Sequence, residues 1–546
     1  MDSQRSSQTS QSSPPPTTDD RDRVGTTRRA YLGGLAAVGL AGVLGTTGSA
    51  TADVTDVDLP EAYLDRFGTV VDIVDAGADP TGGESVHEVL YDVVDDDTLV
   101  VFPEGRYRMD HQFRHTGFTN LGFYGPNATL FHGRIDAVSE STVTEGEFTE
   151  SARFFRLGVI YNPGTDLLFE GFTFDFTAPD TGLRAIETYV TDGLEVRDVT
   201  IAGQHDTGTL GPALFSVTRA AGTGVVERFR APDGGAFSDD TIGDIWTGPT
   251  GMLVDPRHAG TLRVVDCELG PFPDNGLYIS GANGTVHVEG GTYKNSNVAS
   301  IRLMGHGSSI RGATVVVDEA IDGANQRGIR IDEGSDLLVA DTTVELTDPN
   351  GAAIRVLDDV ETARIENSSL YLGPATPERG LRVSRDAGRV EVVGTDVETH
   401  GGSNAVYVEG RNTVDDATVL LQDLHITGDA PGVGAREAIR VERANCRLEN
   451  LTVDQPGDEY RRCLEVIGDD CLVNGGTYTS THHPIINVGS RTFYDGITAR
   501  SYDGFEAMKL YAEGTEVVID DSVLYGGYND KGVNGLFVHE TSFPPA

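Results

Sequence analysis

Ten times between Leu277 and Val538 the chain repeats one short phrase, a small residue followed by apolar, any, apolar. It reads Gly-Leu-Tyr-Ile at 276 to 279, Ser-Ile-Arg-Leu at 300 to 303, Gly-Ile-Arg-Ile at 328 to 331, Ala-Ile-Arg-Val at 353 to 356 and Gly-Leu-Arg-Val at 380 to 383. Ala-Val-Tyr-Val (405 to 408), Ala-Ile-Arg-Val (438 to 441), Cys-Leu-Glu-Val (463 to 466), Ala-Met-Lys-Leu (507 to 510) and Gly-Leu-Phe-Val (535 to 538) follow. From Leu277 to Val406 the intervals are 24, 28, 25, 27 and 25 residues, the signature of stacked repeats. Each interval holds further short β-rich runs, as in Ile354-Arg-Val, Thr362-Ala-Arg-Ile and Ser369-Leu-Tyr-Leu. Three short strands of period two per repeat, separated by turns rich in Gly, Asn and Asp, predict an all-β, right-handed parallel β-helix.

In such a stack every equivalent position becomes a ladder, with rungs about 4.8 Å apart. The two apolar residues of the phrase point inward and the middle residue outward. The outward ladder reads Tyr278, Arg302, Arg330, Arg355, Arg382, Tyr407, Arg440, Glu465 and Lys509. Four consecutive arginines form a basic stripe on a chain of net charge -44.

Residues 1–27 are rich in Ser, Gln, Pro and Thr and carry no apolar period, so no packed structure is expected there. Thr27-Arg28-Arg29-Ala30-Tyr31-Leu32, then an apolar run from Gly33 to Gly45, resembles a twin-arginine export signal; Ala50-Thr51-Ala52 offers a small-residue cleavage site. The predicted organisation is a signal with disordered leader over 1–52, a cap with the first coils over 53–130, and the β-helix over 131–546. The mature chain would start near Asp53, be secreted, and keep no stable membrane insertion after cleavage. Only Lys294, Lys509 and Lys531 among 41 basic residues are lysine, against 85 acids, a composition that resembles secreted proteins of halophilic archaea. Molar salt shortens the screening length to about 3 Å and makes such self-repulsion tolerable. With no extended basic surface, nucleic acid is not expected as a partner. Cys446 and Cys471 should stack on adjacent coils facing inward, more naturally as buried thiols than as a disulfide.

Val86, Val89, Leu90, Val93 and Val94 fall at helical spacing and predict a short helix across the open end of the stack. It lies between Asp75-Ala-Gly-Ala-Asp-Pro-Thr-Gly-Gly83 and Thr98-Leu-Val-Val-Phe-Pro-Glu-Gly-Arg-Tyr107. This loop, helix and strand together resemble the amino-terminal opening of the pectate-lyase-like β-helix superfamily, which includes polysaccharide lyases, glycoside hydrolases and phage tailspikes. The resemblance implies the fold closely and the reaction only weakly. It also implies a substrate laid along the first-strand face, where the ladder stands.

Three neighbouring rungs there carry titratable groups: Asp274, Asn275 and Tyr278, then Arg302 and His306, then Arg330 and Asp332. Asp255 and His258 lie one rung earlier. A hydrolase needs a protonated and an ionised carboxyl roughly 6.5 to 9.5 Å apart for inversion, and Asp274 and Asp332, two rungs apart, are the candidate pair. A lyase needs a uronate carboxylate neutralised, the adjacent proton removed and the 4-linked oxygen expelled. Arginine suits the first task through bidentate pairing, with Arg302, His306 or Lys294 as base. Ca²⁺ held near Asp274 could share the neutralising role, although no cofactor is required by the sequence. Asp274-Asn-Gly-Leu-Tyr-Ile, Gly305-His-Gly and Gly328-Ile-Arg-Ile-Asp are similar to polygalacturonase elements. Three departures, at Asn275, at Asp332 and in the placement of His306, keep that catalytic assignment from being carried over. Tyr278, Arg355 and Arg382 are candidate substrate contacts, together with Trp246, the single tryptophan, in a loop over 230–250 that either stacks on a sugar or pins its own loop.

The expectation is an exported, salt-adapted enzyme that cleaves an extracellular acidic polysaccharide, with β-elimination favoured by the arginine stripe. Hydrolysis is the alternative, and a non-catalytic glycan-binding or cell-surface β-helix is the rival from another class. The ladder also has a structural reading, each guanidinium pairing with turn acids such as Asp332, Glu333 and Asp358. A trimeric spike would require long exposed apolar stripes, which the sequence does not clearly show.

Overall fold

A computed structural model of the chain describes residues 57, 59–133, 143–144, 147–148, 152–241, 248–281, 283–321, 324–410 and 418–546. The candidate export signal and Trp246 lie outside the described residues. The chain winds as a right-handed parallel β-solenoid whose outward ladder belongs to a sheet of 16 parallel strands, one per coil. The other strands of each coil join a second hydrogen-bonded system of 32 strands.

The register supports the phrase read from sequence. Leu277 pairs with Ile301, Ile301 with Ile329, Ile329 with Ile354 and Ile354 with Leu381, each with its outward neighbour alongside. All five are at most 1 % exposed, so the inward apolar ladder is a continuous core. Towards the amino terminus the same role passes to aromatic rings. Phe155 stands 5.3 Å from Phe123 and 5.1 Å from Phe169, and Phe169 stands 4.7 Å from Phe172.

Each coil turns one corner in the same way. From Asp198 to Asp521 the residue between the second and third strands is left-handed in coil after coil: Asp266 (φ 48), Asn367 (φ 48), Asp423 (φ 52) and Asn450 (φ 56) are examples, with Gly at other coils and Arg228 (φ 52) at one. Asp, Asn and Gly are the residues that tolerate this region, which explains their periodic recurrence.

The expected cap is the helix His87–Val93. Leu90 and Val86 are buried, and Val89, Val93 and Val94 pack against the core, closing the end of the stack. A second short helix, Glu61–Arg66, precedes it. Among the described residues no helix is long and apolar enough to cross a membrane.

Two readings from the sequence pattern are corrected: a rung at Leu214-Phe215-Ser216, and a direct step from the rung of Glu465 to that of Lys509. Ala213, Leu214 and Phe215 align with Met252, Leu253 and Val254, so Leu214 occupies the outward position and Phe215 points inward. Alanine is too small to announce itself as an inner residue. A rung at Ile485–Asn487 also lies between those of Glu465 and Lys509. Its phrase, Ile485-Ile486-Asn487, follows Pro484 and closes on a polar residue, so the pattern does not reveal it. Cys446 and Cys471 are buried free thiols that both donate to the carbonyl of Arg443, at 3.3 and 3.5 Å.

Candidate functional site

The outward ladder runs through sixteen strands as Arg114, Arg156, Glu187, Leu214, Leu253, Tyr278, Arg302, Arg330, Arg355, Arg382, Tyr407, Arg440, Glu465, Ile486, Lys509 and Asn529. Its chemistry falls into distinct neighbourhoods because parallel stacking brings together groups that lie a full coil apart in sequence.

The first candidate neighbourhood gathers Asp274, Tyr278, Arg302, Arg330 and Asp332. Asp332 accepts from Arg302 Nε at 2.6 Å and from Arg330 Nε at 2.9 Å, so one carboxylate serves two successive arginines. The Arg302 guanidinium lies 4.3 Å from the Tyr278 ring centroid. Asp274 accepts from the Thr250 hydroxyl at 2.6 Å. Burial raises its pKa, while the Thr250 hydrogen bond and the Arg302 charge oppose the shift. The two carboxyls thus differ in surroundings, one pushed towards the acid form by burial and the other bracketed by two guanidinium groups. They are also only 7 % and 6 % exposed. This neighbourhood is poor ground for calcium, since guanidinium groups already occupy the Asp332 oxygens. No group of three or more metal-ligating side chains is set for a cation among the described residues.

His306 is not brought to that cluster. It lies past the carboxyl end of Ala299–Met304, whereas Asp274 precedes the amino end of Asn275–Ile279. His306 Nδ1 pairs with Ser335 Oγ at 2.8 Å, and the ring lines a cavity of about 420 Å³ with Glu333, Gly334, Asp359 and Glu361. Lys294 is engaged by Asp318 at 3.2 Å. His258 is buried, accepts from Val217 N–H at 3.1 Å, and burial lowers its pKa, as expected of a core histidine. Asp255 is held by Tyr189 Oη at 2.9 Å and by Arg257 Nε at 2.8 Å.

The second neighbourhood surrounds Arg355. Arg302 and Arg330 share Asp332, and Arg382 pairs with Glu409. Arg355 has no ion pair and no hydrogen bond among the described residues, and its buried Nε has no partner. Burial, followed by the Arg382 charge, lowers its pKa. Asp358, the nearest acid in sequence, instead accepts from the backbone N–H of Asp386 at 3.0 Å. Arg327, absent from the sequence-based candidates, joins it: burial and the charges of Arg355, Arg330 and Arg382 lower its pKa to about 10. The Arg327 guanidinium has a carbonyl, Val298 O at 3.2 Å, and no carboxylate partner among the described residues. Arg379 rests 4.7 Å from the Tyr407 ring centroid, with a buried Nε lacking a hydrogen bond. The result is a half-buried cationic patch with fewer acids than guanidinium groups. That is the arrangement of a receptor for carboxylate or another oxyanion. No single-sequence pattern signals it, because it depends on where the acids do not go.

The fold and this face define a class, the parallel β-solenoids that carry polar ladders on one side. No protein-family profile and no curated protein sequence matches the chain. Among solved structures, the tailspike protein of E. coli bacteriophage HK620, in complex with a pentasaccharide, is 10% identical with a TM-score of 0.52, covering 79% of this chain and 81% of that one. The surface adhesin PfbA of Streptococcus pneumoniae is 11% identical (TM-score 0.39), covering 87% and 93%. The catalytic unit of a GH87 alpha-1,3-glucanase from Streptomyces thermodiastaticus is also 11% identical (TM-score 0.31), covering 89% and 70%. At these identities the likeness concerns the fold alone, and only the tailspike superposes well enough to support it.

Proposed function

We propose that the protein is an exported β-helix of the pectate-lyase-like kind that takes an acidic, uronate-bearing polysaccharide along its outward ladder, with Arg355 pairing a sugar carboxylate. The observation that carries this reading is the state of Arg355, a half-buried guanidinium with no ion pair among the described residues, between neighbours that have theirs. An incoming carboxylate would satisfy it and relieve its repulsion with Arg382 and Arg330. The pentasaccharide held by the HK620 tailspike is an example of a glycan on this type of fold. Export rests on Arg28-Arg29 and the run that follows them, and adaptation to salt rests on the net charge of -44.

A second reading adds cleavage by β-elimination, and the observation in its favour is Arg327. A guanidinium whose pKa falls to about 10 gives up its proton more readily than an ordinary one, and its neutral form is the base that elimination needs. In that reading Arg355 neutralises the uronate carboxylate and thereby acidifies the adjacent C–H. Arg327 in its neutral form removes that proton, the C–H electron pair forms the double bond, and the 4-linked C–O bond breaks with the leaving oxygen taking a proton from water. Hydrolysis would instead use Asp274 as acid with Asp332 as the second carboxyl, and both are nearly inaccessible.

The experiment is titration of the protein with a panel of acidic polysaccharides in high salt, following binding, unsaturated-uronide absorbance and reducing ends together. Binding without product supports the non-catalytic form, and absorbance rising with reducing ends supports elimination. Reducing ends alone move the chemistry to Asp274. Absence of binding to every acidic polymer would sink the proposal.

A further inference from the structure

Four coils near the carboxyl end carry a second group of side chains that the Arg355 reading does not use. Tyr460, 55% exposed, stands in the turn leading into the ladder strand Arg462–Val466. Its ring meets His482 edge-on at 5.3 Å and Phe505 at 6.4 Å, and His482 meets Phe505 at 4.5 Å. Three rings from successive coils therefore form one platform beside the amino ends of the ladder strands.

The platform is rigidly mounted. Arg461, fully buried, donates to Gln455 Oε1 at 2.9 Å, to Ala435 O at 2.8 Å and to Ser403 O at 2.9 Å, fastening the turn to the two preceding coils. Glu459 and Tyr460 are both left-handed (φ 61 and 62), a region that residues with ordinary side chains avoid. Solvent-facing aromatic surface held in this way is preorganised for stacking.

Beside the rings lie two arginines that are paired with carboxylates. Arg462 donates to Glu437 Oε1 at 3.0 Å and to His482 Nδ1 at 3.2 Å. Arg440 donates to Glu442 Oε1 at 2.7 Å and to Glu465 Oε2 at 2.5 Å. Because His482 Nδ1 accepts, its Nε2 carries the proton and is a donor. Unlike Arg355, Arg462 and Arg440 each have a carboxylate partner.

We propose that the Tyr460, His482 and Phe505 cluster is a subsite for an uncharged pyranose ring, stacked by its C–H face on the exposed Tyr460 ring with Phe505 alongside, and held through its hydroxyls by His482 Nε2–H and the Glu465 carboxylate. It does not depend on an acidic sugar at Arg355. A polymer that reached both places would alternate or adjoin acidic and neutral residues.

The test uses neutral hexasaccharides (maltohexaose, cellohexaose and mannohexaose) with the full chain, read by saturation-transfer NMR and by dissociation constant at low and high salt. The expected result is transfer to ring C–H protons from at least one probe, with an affinity that salt does not change. Tyr460→Ala and Phe505→Ala should each weaken binding about three- to ten-fold, the range of one aromatic contact, and Arg355→Ala should leave it unaltered. Tyr460→Leu keeps the apolar bulk without the ring face, and it should also weaken binding if Tyr460→Ala fails to fold. The proposal is overturned if no neutral probe binds, if the aromatic variants bind as the parent does, or if Arg355→Ala abolishes neutral-sugar binding. The last outcome would place the sugar at the arginine patch and would leave the acidic-glycan reading standing.

Discussion

Arg355→Ala should separate binding from stability in an unusual direction. The parent side chain has no ion pair or hydrogen bond among the described residues to lose, and its charge opposes those of Arg382, Arg330 and Arg327. Its removal should leave the melting temperature unchanged or slightly raised. If a uronate carboxylate takes the vacant pairing, the variant forfeits a charge-assisted hydrogen bond worth roughly 1.5–3 kcal/mol. At about 1.4 kcal/mol per decade, binding should weaken about 10- to 150-fold. Calorimetric titration with oligogalacturonate measures the affinity, and thermal melting of the same samples measures the stability. Arg382→Ala is the matched control: it strands Glu409, so its melting temperature should fall. Because the contact is short-ranged and half-buried, part of the affinity should survive about 1 M salt, where the screening length is about 3 Å. Unchanged affinity in Arg355→Ala, or a loss of stability equal to that of Arg382→Ala, would refute the idea of a vacant pairing site.

Other outcomes follow from the same structure. Glu187, fully buried, is held by Arg153 at 3.4 Å, Arg156 at 3.0 Å and Arg184 at 3.1 Å, so Glu187→Gln should destabilise by about 3–5 kcal/mol in chemical denaturation. The three arginines hold its pKa below 4.5 against desolvation; its contribution should be complete above that pH and fade as pH falls through the lower folded value, so a flat acid limb would contradict it. Asp274 has the opposite sign. Its folded pKa is raised above 3.8, so the folded state binds the proton more tightly and stability falls as pH rises through that window. Asp274→Asn should then melt higher than the parent at neutral pH and alike in strong acid; a lower melting temperature at neutral pH would contradict this. Phe169→Ala removes a ring packed on Phe155 and Phe172 and should cost about 3–5 kcal/mol, again by denaturant titration. With a net charge of -44, the melting temperature should climb between about 0.1 M and about 1 M salt, and a flat response would argue against salt adaptation.

The coil and its outward ladder were legible because one inward phrase recurs with little variation, and Arg302, Arg330, Arg355 and Arg382 stand where the phrase put them. Legibility stopped where the phrase was diluted by a small or polar residue, as at Ala213 and Asn487. It stopped again at the choice of partners. Sequence offers Asp332, Glu333 and Asp358 as equal candidates for the arginines. In the fold one takes two guanidinium groups, one lines the His306 cavity, and one caps a backbone N–H. Side-chain pairing across coils is decided by lateral reach, which the order of residues does not encode. For the same reason Arg327, Tyr460 and Phe505 went unread: they lie in turns, outside the periodic strands.

The left-handed corner shared by successive coils makes the molecule a ruler. Since successive coils close on the same left-handed geometry, at Asp, Asn or Gly in most and at Arg228 in one, neighbouring coils are offset by one strand spacing of about 4.8 Å. Side chains on the outer face can therefore meet a long ligand only at graduations of that interval. Selectivity along such a face is a question of commensurability, of whether the repeat of a polymer falls into step with the marks. Gaining or losing one whole coil would move a contact by one graduation while leaving every corner intact.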